Sequence, residues 1–544
     1  MRTNWLPIAV LAGVLTAGSW ARLGGLGRAD FSHDELLHWF AAQALTRGEG
    51  PVLPNGAEYR RGIDLTRLVS VSSRYLRDPE RAARLPSAVF GVLNLVLFAA
   101  LAWIIAGPWG AVWATTLLAI YPEAVWQSRT TRFYTYQLVF GLIALHAGWH
   151  TVKAAGARVL PAVRDTNRQW GWATIAITAL ALGARVQVTT LSVALGWMTC
   201  VGLAAIADLR IHGPRCWRRS VPVGLVVGFI AAGIVIVLAA PAKITHLVQS
   251  AFFTPLWATL PHAGGGRLTY YHALADAFPI VISLGPVIFL LVAHINWRLS
   301  AYLLTWFLIP VALHSVVFPF KGERFVLLAV PALLLAAAIA TATAAELLVG
   351  WITRTLSPLR LRQAWSGIVG PVGASVVAAF AVITTPAFNV ARKAPQGASA
   401  PTEKREDWRT VGRIVDSVIA THPLPVGTSN PWASAYYSVP ALFDTGLGHG
   451  DGTSAPTTSS PRPTRAVDYR GAPISLLRLP VLATPEQIRQ RFGADRAVLL
   501  AIDSVRWQYG STDAELRRTL QRHGRELCDS RCGSVLVFYW PLHD

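Results

Sequence analysis

The segment "DFSHDELLHW", residues 30–39, sets two carboxylates side by side, Asp34 and Glu35, just after the first apolar stretch of the chain. Adjacent carboxylates repel one another and lose hydration near a bilayer, so a pair placed there asks for a use. Cations that could answer it recur far along the sequence: Arg129 and Arg132, with Tyr134, in "SRTTRFY"; Arg185 in "GARVQ"; Lys321 and Arg324 in "FKGERF". A carboxylate facing several such cations suits attack of a hydroxyl or similar nucleophile on a carbon whose leaving group is a phosphate. Asp34 would accept the nucleophile's proton, and Arg129, Arg132, Lys321 or Arg324 would stabilise charge on the departing phosphate. The same residues have plainer uses. Asp34 and Glu35 suit the first turn of a helix, at the positive end of its dipole. Arg129 and Arg132 suit interfacial anchors, and "KGER" an ion-paired turn. His33 and His38 are five apart and lack the i, i+4 spacing of a helical metal site, so no metal ligand is assigned.

These residues must be positioned by membrane helices. Of 544 residues, 53% are hydrophobic and 14% charged, and 21 are Trp, a composition that indicates an integral membrane protein. Apolar windows of roughly 17 to 22 residues, enough to cross about 30 Å of hydrocarbon, begin near Trp5, Ser87, Trp109, Tyr134, Trp170, Val188, Val221, Phe278, Ala301, Phe325 and Ser366. About eleven spans are expected, the first kept as an anchor because no small-residue cleavage site follows it. Lys153, Arg158, Arg164, Arg168, then Arg210, Arg215, Arg218, Arg219, then Arg354, Arg360 and Arg362 mark cytoplasmic loops. The external loop 25–86, with its amphipathic stretches "DELLHWFAAQALTRG" and "DLTRLVSVSSRYLRD", then lies outside, as do all four charged clusters. Much of the net charge of +20 sits in the cytoplasmic loops and calls for no nucleic acid.

Three regions follow: a membrane domain over 1–386, a linker over 387–406 and an extracytoplasmic α/β domain over 407–544. In the last, helices are expected in "EDWRTVGRIVDSVIATH", "TPEQIRQRF" and "STDAELRRTLQRH", and strands in "PVGTS", "RAVLLAID" and "SVLVFYW". "GLGHGDGTSAPTTSSPRPTR" is too poor in large apolar residues to pack. No phosphate-binding glycine motif occurs. Cys528 and Cys532 suit a small disulfide loop, whereas Cys200 and Cys216 are expected as free thiols.

The order of these motifs resembles the GT-C membrane glycosyltransferases, in the branch of protein O-mannosyltransferases and bacterial aminoarabinose transferases. An Asp-Glu pair early in the first external loop is matched by Asp34 and Glu35. An "RLPS…G" stretch entering the second span is matched by Arg84, Leu85, Pro86, Ser87 and Gly91. A Ser-Arg-x-x-Arg-x-Tyr turn is matched by Ser128, Arg129, Arg132 and Tyr134, and a Lys-x-x-Arg-[FY] turn by Lys321, Arg324 and Phe325. The resemblance implies a polytopic α-helical GT-C-like protein of about 11 transmembrane helices in the cell membrane, with an extracytoplasmic C-terminal α/β domain. It implies transfer of a sugar from a polyprenyl-phosphate donor to a lipid, glycan or protein acceptor outside, with Asp34 and Glu35 catalytic and Asp34 the base. Arg129, Arg132, Tyr134, Arg185, Lys321 and Arg324 would bind the donor phosphate. One position departs from the pattern: related sequences often carry Glu where this chain has Thr130, and Glu123 lies seven residues earlier. No cofactor is therefore assigned and a divalent metal stays open. A multi-span transporter or lipid flippase is the alternative, although the charges gather at one face rather than at the midplane and no internal repeat is seen.

Overall fold

The computed structural model describes residues 5–54, 56–153, 163–239, 268–316, 322–356, 386–396, 407–421, 424–428, 433, 436–437, 443–444, 484–493, 496–503, 514–528 and 535–542. The first apolar window is helix α1 (Leu6–Leu23), and the loop after it carries α2 (His33–Thr46) and α3 (Ile63–Ser72). The next two windows form one run, α4 (Pro79–Ile120). Asp78 caps it by accepting from the Arg81 N–H, and Pro79 occupies the first turn, where a missing donor costs nothing. The run breaks at Gly107, whose φ of 74° suits glycine, and Pro108 begins the second arm. α1 packs between the two arms: a Cβ on Gly18 would stand 2.7 Å from Leu95 and 3.1 Å from Ala119.

α5 (Pro122–Ser128), α6 (Tyr134–Val152), α7 (Val163–Val186), α8 (Thr190–His212) and α9 (Val221–Ala239) follow. Beyond them lie α10 (Thr269–Ala277), α11 (Pro279–Ser283), α12 (Gly285–Val316) and α13 (Val330–Leu356). α12 also has two arms. Asn296 leaves the helical region, and its side-chain oxygen accepts from the N–H groups of Arg298 (3.1 Å) and Leu299 (3.2 Å), capping the arm expected near Ala301. A buried knot sits at the end of α6 remote from Tyr134. Arg298 donates to Asp208 (3.0 Å) and to the Val152 carbonyl (3.3 Å), and Ser220 donates to Asp208 (2.6 Å).

Among the described residues, four helices are long and apolar enough to cross a membrane: Leu6–Arg28, Pro79–Ile120, Thr190–Cys216 and Gly285–Val316. The windows at Tyr134, Trp170, Val221 and Phe325 coincide with α6, α7, α9 and α13, while the window at Ser366 lies outside the described residues.

Where the linker was expected, α14 (Pro386–Lys393) and a 3₁₀ turn, Ala394–Gln396, pack on α1 and α4, and Arg28 donates to the Pro395 carbonyl (3.1 Å). The C-terminal region holds α15 (Trp408–Thr421), α16 (Pro485–Phe492) and α17 (Ala514–His523). Its strands are β1 (Val426–Thr428), β2 (Phe443–Asp444), β3 (Ala497–Asp503), β4 (Arg525–Cys528) and β5 (Val535–Pro541), in the order β2-β1-β3-β5-β4. β1 runs parallel to β2 and β3, and β5 antiparallel to β3 and β4. Alternation decides the two faces. Val498, Leu500 and Ile502 of β3 pack with Ile488, Leu516 and Leu520 of α16 and α17, whereas Leu499 and Ala501 join Trp408, Val411 and Val415 of α15 in the main core. Cys528 is disulfide-bonded and Cys200 and Cys216 are free; Cys532 and the "GLGHGDG" stretch lie outside the described residues.

Candidate active site

Ser32 begins α2, and the sequence Ser-x-x-Glu closes a capping box: the Ser32 N–H donates to Glu35 (2.9 Å), and the Ser32 side chain accepts from the backbone N–H of Glu35. Glu35 is buried. Its oxygens accept from Arg84 Nε (2.8 Å) and Nη2 (2.9 Å) and from the Thr131 N–H (2.9 Å). Burial raises the Glu35 carboxyl, but the Arg84 guanidinium and the N–H groups of Ser32 and Thr131 outweigh it and hold the group below its ordinary value. Arg84 gives its remaining donors to the carbonyls of Leu26 (2.8 Å), Ala29 (2.7 Å) and Asp30 (2.7 Å), so all five of its N–H groups are satisfied. One residue earlier on the helix, Asp34 turns outward. Its side chain is 33% exposed and pairs with Arg132, itself 12% exposed.

The "RLPS…G" residues converge on the same turn. Ser87 donates to the Arg132 carbonyl (3.0 Å) and accepts from the Arg132 N–H (3.3 Å), fixing the backbone that carries the Asp34 partner. Gly91 lies under Ser128, where a Cβ would fall 2.2 Å from the hydroxyl oxygen. Gly91→Ala should push the 128–132 turn away from α4 and lower turnover about tenfold or more, since misplacing reacting groups by an ångström is costly. Activity measured beside thermal stability checks this, and wild-type turnover would show that the turn yields harmlessly.

Arg129, expected at a phosphate, holds the C-terminal end of α1, donating to the carbonyls of Ala21 (3.0 Å), Gly24 (2.6 Å) and Gly25 (3.3 Å). Arg22 does the converse, donating to Ala119 and Leu118 (both 3.1 Å) at the end of α4. Burial, with Arg84 and Arg28 near, lowers the Arg129 guanidinium to about 10. Tyr134 is buried, its ring 4.8 Å from Phe133 and 6.4 Å from Phe325, and its hydroxyl has no hydrogen-bond partner among the described residues. Through Phe325 the Ser-Arg turn meets the turn that carries Arg324, whose guanidinium stands 5.2 Å over the Phe325 ring. Lys321 lies outside the described residues. Arg185 stands apart, exposed and paired with Asp64 of α3 (3.3 Å).

A further cation, Arg61, lies 5.6 Å over the Phe133 ring and went unmarked in the sequence. "YRRG" was its only signal: Gly62 has φ 59°, and a Cβ there would be 2.5 Å from Phe133, so glycine brings Arg61 against that ring. His38 is buried between Thr66 (2.9 Å) and the Tyr59 hydroxyl (3.4 Å), and burial with the nearby Arg61 charge pushes it down to about 3, so it is neutral. Glu123 accepts from Gln127 one turn later (2.7 Å). Thr130 contributes no carboxylate, Asp34 is engaged by a guanidinium, and among the described residues no group of three or more His, Cys, Asp or Glu gathers to hold a metal. Among the described residues this donor set does not fit a metal.

No family model and no curated protein matches the sequence. Solved structures do. The chain is similar to ArnT from Cupriavidus metallidurans, crystallised with undecaprenyl phosphate, at 12% identity and a TM-score of 0.54, covering 99% of this chain and 98% of that one. It is also similar to the oligosaccharyltransferase AglB from Archaeoglobus fulgidus, in complex with an inhibitory peptide and a dolichol-phosphate, at 12% identity and a TM-score of 0.53, covering 96% of this chain and 72% of that one. Both are GT-C glycosyltransferases, and this chain has their fold over nearly its whole length.

Proposed function

We propose that the chain is a glycosyltransferase of the cell membrane that moves a sugar from a polyprenyl-phosphate donor to an acceptor on the extracytoplasmic side, with Asp34 as general base. The observation that carries this is the division between neighbouring carboxylates: Glu35 is locked by Arg84 and two backbone N–H groups, while Asp34 faces outward beside Arg132. The lipid phosphates bound by ArnT and AglB support a donor of that class.

In the reaction an acceptor O–H gives its proton to Asp34 as its oxygen bonds to the sugar's anomeric carbon. The bond from that carbon to the phosphate oxygen breaks, and the electron pair leaves with the phosphate. Arg132, already beside Asp34, and Arg324, joined through Phe325 and Tyr134, then stabilise the phosphate, with Lys321, three residues before Arg324 in sequence, and Arg61 over Phe133 as further cations. Glu35 and Arg129 are assigned to positioning and Arg185 to the rim.

The test is sugar release from a panel of radiolabelled polyprenyl-phosphate sugars by the purified protein in lipid. Consumption of one donor by the wild type names the sugar. Arg324→Ala should weaken donor binding about tenfold or more, the scale of a charge-assisted contact of about 1.5–3 kcal/mol; unchanged affinity would remove Arg324 from the phosphate site. Movement of an intact lipid-linked sugar across the bilayer without its cleavage would replace this reading with the carrier one.

A further inference from the structure

Asp30 lies four residues before Asp34, and its side chain is 1% exposed. Its partner comes from the C-terminal domain: the Arg409 backbone N–H donates to one Asp30 oxygen (3.0 Å) and the Arg409 guanidinium to the other. The second arm of that guanidinium reaches Glu80, in the first turn of α4. Tyr437 completes the clasp. Its hydroxyl donates to Glu80 (3.2 Å) and accepts from the Phe31 N–H (2.6 Å), and its ring lies 5.4 Å beneath Arg409. Arg84, one turn after Glu80, holds the Asp30 carbonyl and the Glu35 carboxylate, and Glu35 holds the Thr131 N–H beside Arg132. A path of hydrogen bonds and short backbone links therefore runs from the first turn of α15 to Glu35 and Thr131, the sequence neighbours of Asp34 and Arg132.

Burying two carboxylates against one guanidinium brings little net stability, because desolvation cancels most of the attraction. What such a cluster does supply is fixed geometry. Phe31, packed between Trp39 and Tyr436, is held from both sides, so the stem from which Asp34 projects has its position set by the soluble domain.

We propose that Arg409 is a positioning residue through which the C-terminal domain holds the Asp30–Phe31 stem and so sets Asp34 against Arg132. This rests on the assignment of Asp34 as base, but its structural half can be read without any turnover. Full-length wild type, Arg409→Ala, Arg409→Lys and Asp30→Asn would be compared in lipid nanodiscs by donor turnover and by amide hydrogen exchange over residues 30–38. For Arg409→Ala, kcat should fall by about 10²-fold, as a displaced reacting group demands, with donor KM changed by less than about threefold. Exchange in the first turn of α2 should quicken about tenfold or more, while that in α6 stays as in wild type. Arg409→Lys, able to reach one carboxylate at a time, should recover part of kcat, which a loss of folding would not allow. If Arg409→Ala does not fold, Asp30→Asn keeps the shape, removes the charge and should show the same split. Wild-type exchange over 30–38 in both variants would overturn the proposal, as would kcat retained within about twofold. A wild type that turns over no polyprenyl-phosphate donor would refute the enzymatic reading, and the exchange measurement would still decide the clasp.

Discussion

Asp34→Asn should abolish measurable transfer, with kcat lower by about 10²–10⁴-fold, the usual contribution of a positioned base. The substitution keeps the shape of the side chain and can still accept a hydrogen bond from Arg132, so the 128–132 turn should hold and donor binding should change little. Asp34 lies at the outward side of the first turn of α2 with its side chain 33% exposed, and Asn matches it in shape, so the variant should fold. Single-turnover assays with a radiolabelled donor, beside a binding measurement with the unreactive polyprenyl phosphate, separate the two effects. Retention of more than about a tenth of wild-type kcat would mean that another group takes the proton.

Arg84→Ala should have the largest effect on the fold. It would leave Glu35 charged and buried with no cation and would strip donors from the carbonyls of Leu26, Ala29 and Asp30. Breaking a buried pair in this way costs about 3–5 kcal/mol, which should appear as a large drop in unfolding temperature and yield. Adding Glu35→Gln to Arg84→Ala removes the stranded charge and should recover part of that loss, a non-additivity expected of residues in direct contact. Equal unfolding temperatures for wild type and Arg84→Ala would show that the network carries no load.

Those two outcomes bear on how far the sequence could be read. The helices were legible wherever a long apolar window ended on a residue with a conformational preference: Gly107-Pro108 divides α4, and Asp78-Pro79 starts it. The sheet was legible in β3 and β5, buried on both faces, but not in β2 or β4. β2 is two residues long, and "RELC" of β4 alternates too little to be marked. The capping role of Glu35 could be read from Ser32, three residues back. Its partner Arg84 could not, because a buried ion pair is made by approach in space and carries no spacing rule. Arg129 shows the limit most clearly: its partners are backbone carbonyls of α1, which every residue possesses and no sequence advertises. The clasp of Arg409 on Asp30, which binds the first helix of the C-terminal domain to the loop that carries Asp34, was hidden for the same reason.

The reciprocal hold of Arg22 and Arg129 on the ends of α4 and α1 has a bearing on acid. On the extracytoplasmic side proposed for it, the site would meet whatever pH surrounds the cell, and scaffolds tied by arginine–carboxylate pairs loosen as their carboxylates take up protons. Carbonyl oxygens do not titrate in that range, so the two helix ends keep their cations however acidic the medium becomes. Glu35 extends the same tolerance. A carboxyl held below its unfolded value stabilises the fold at all pH above that value and loses the contribution only as pH falls through the lower, folded one. The ends of α1 and α4 beside the site and the Glu35 carboxylate thus keep their hold as the medium acidifies.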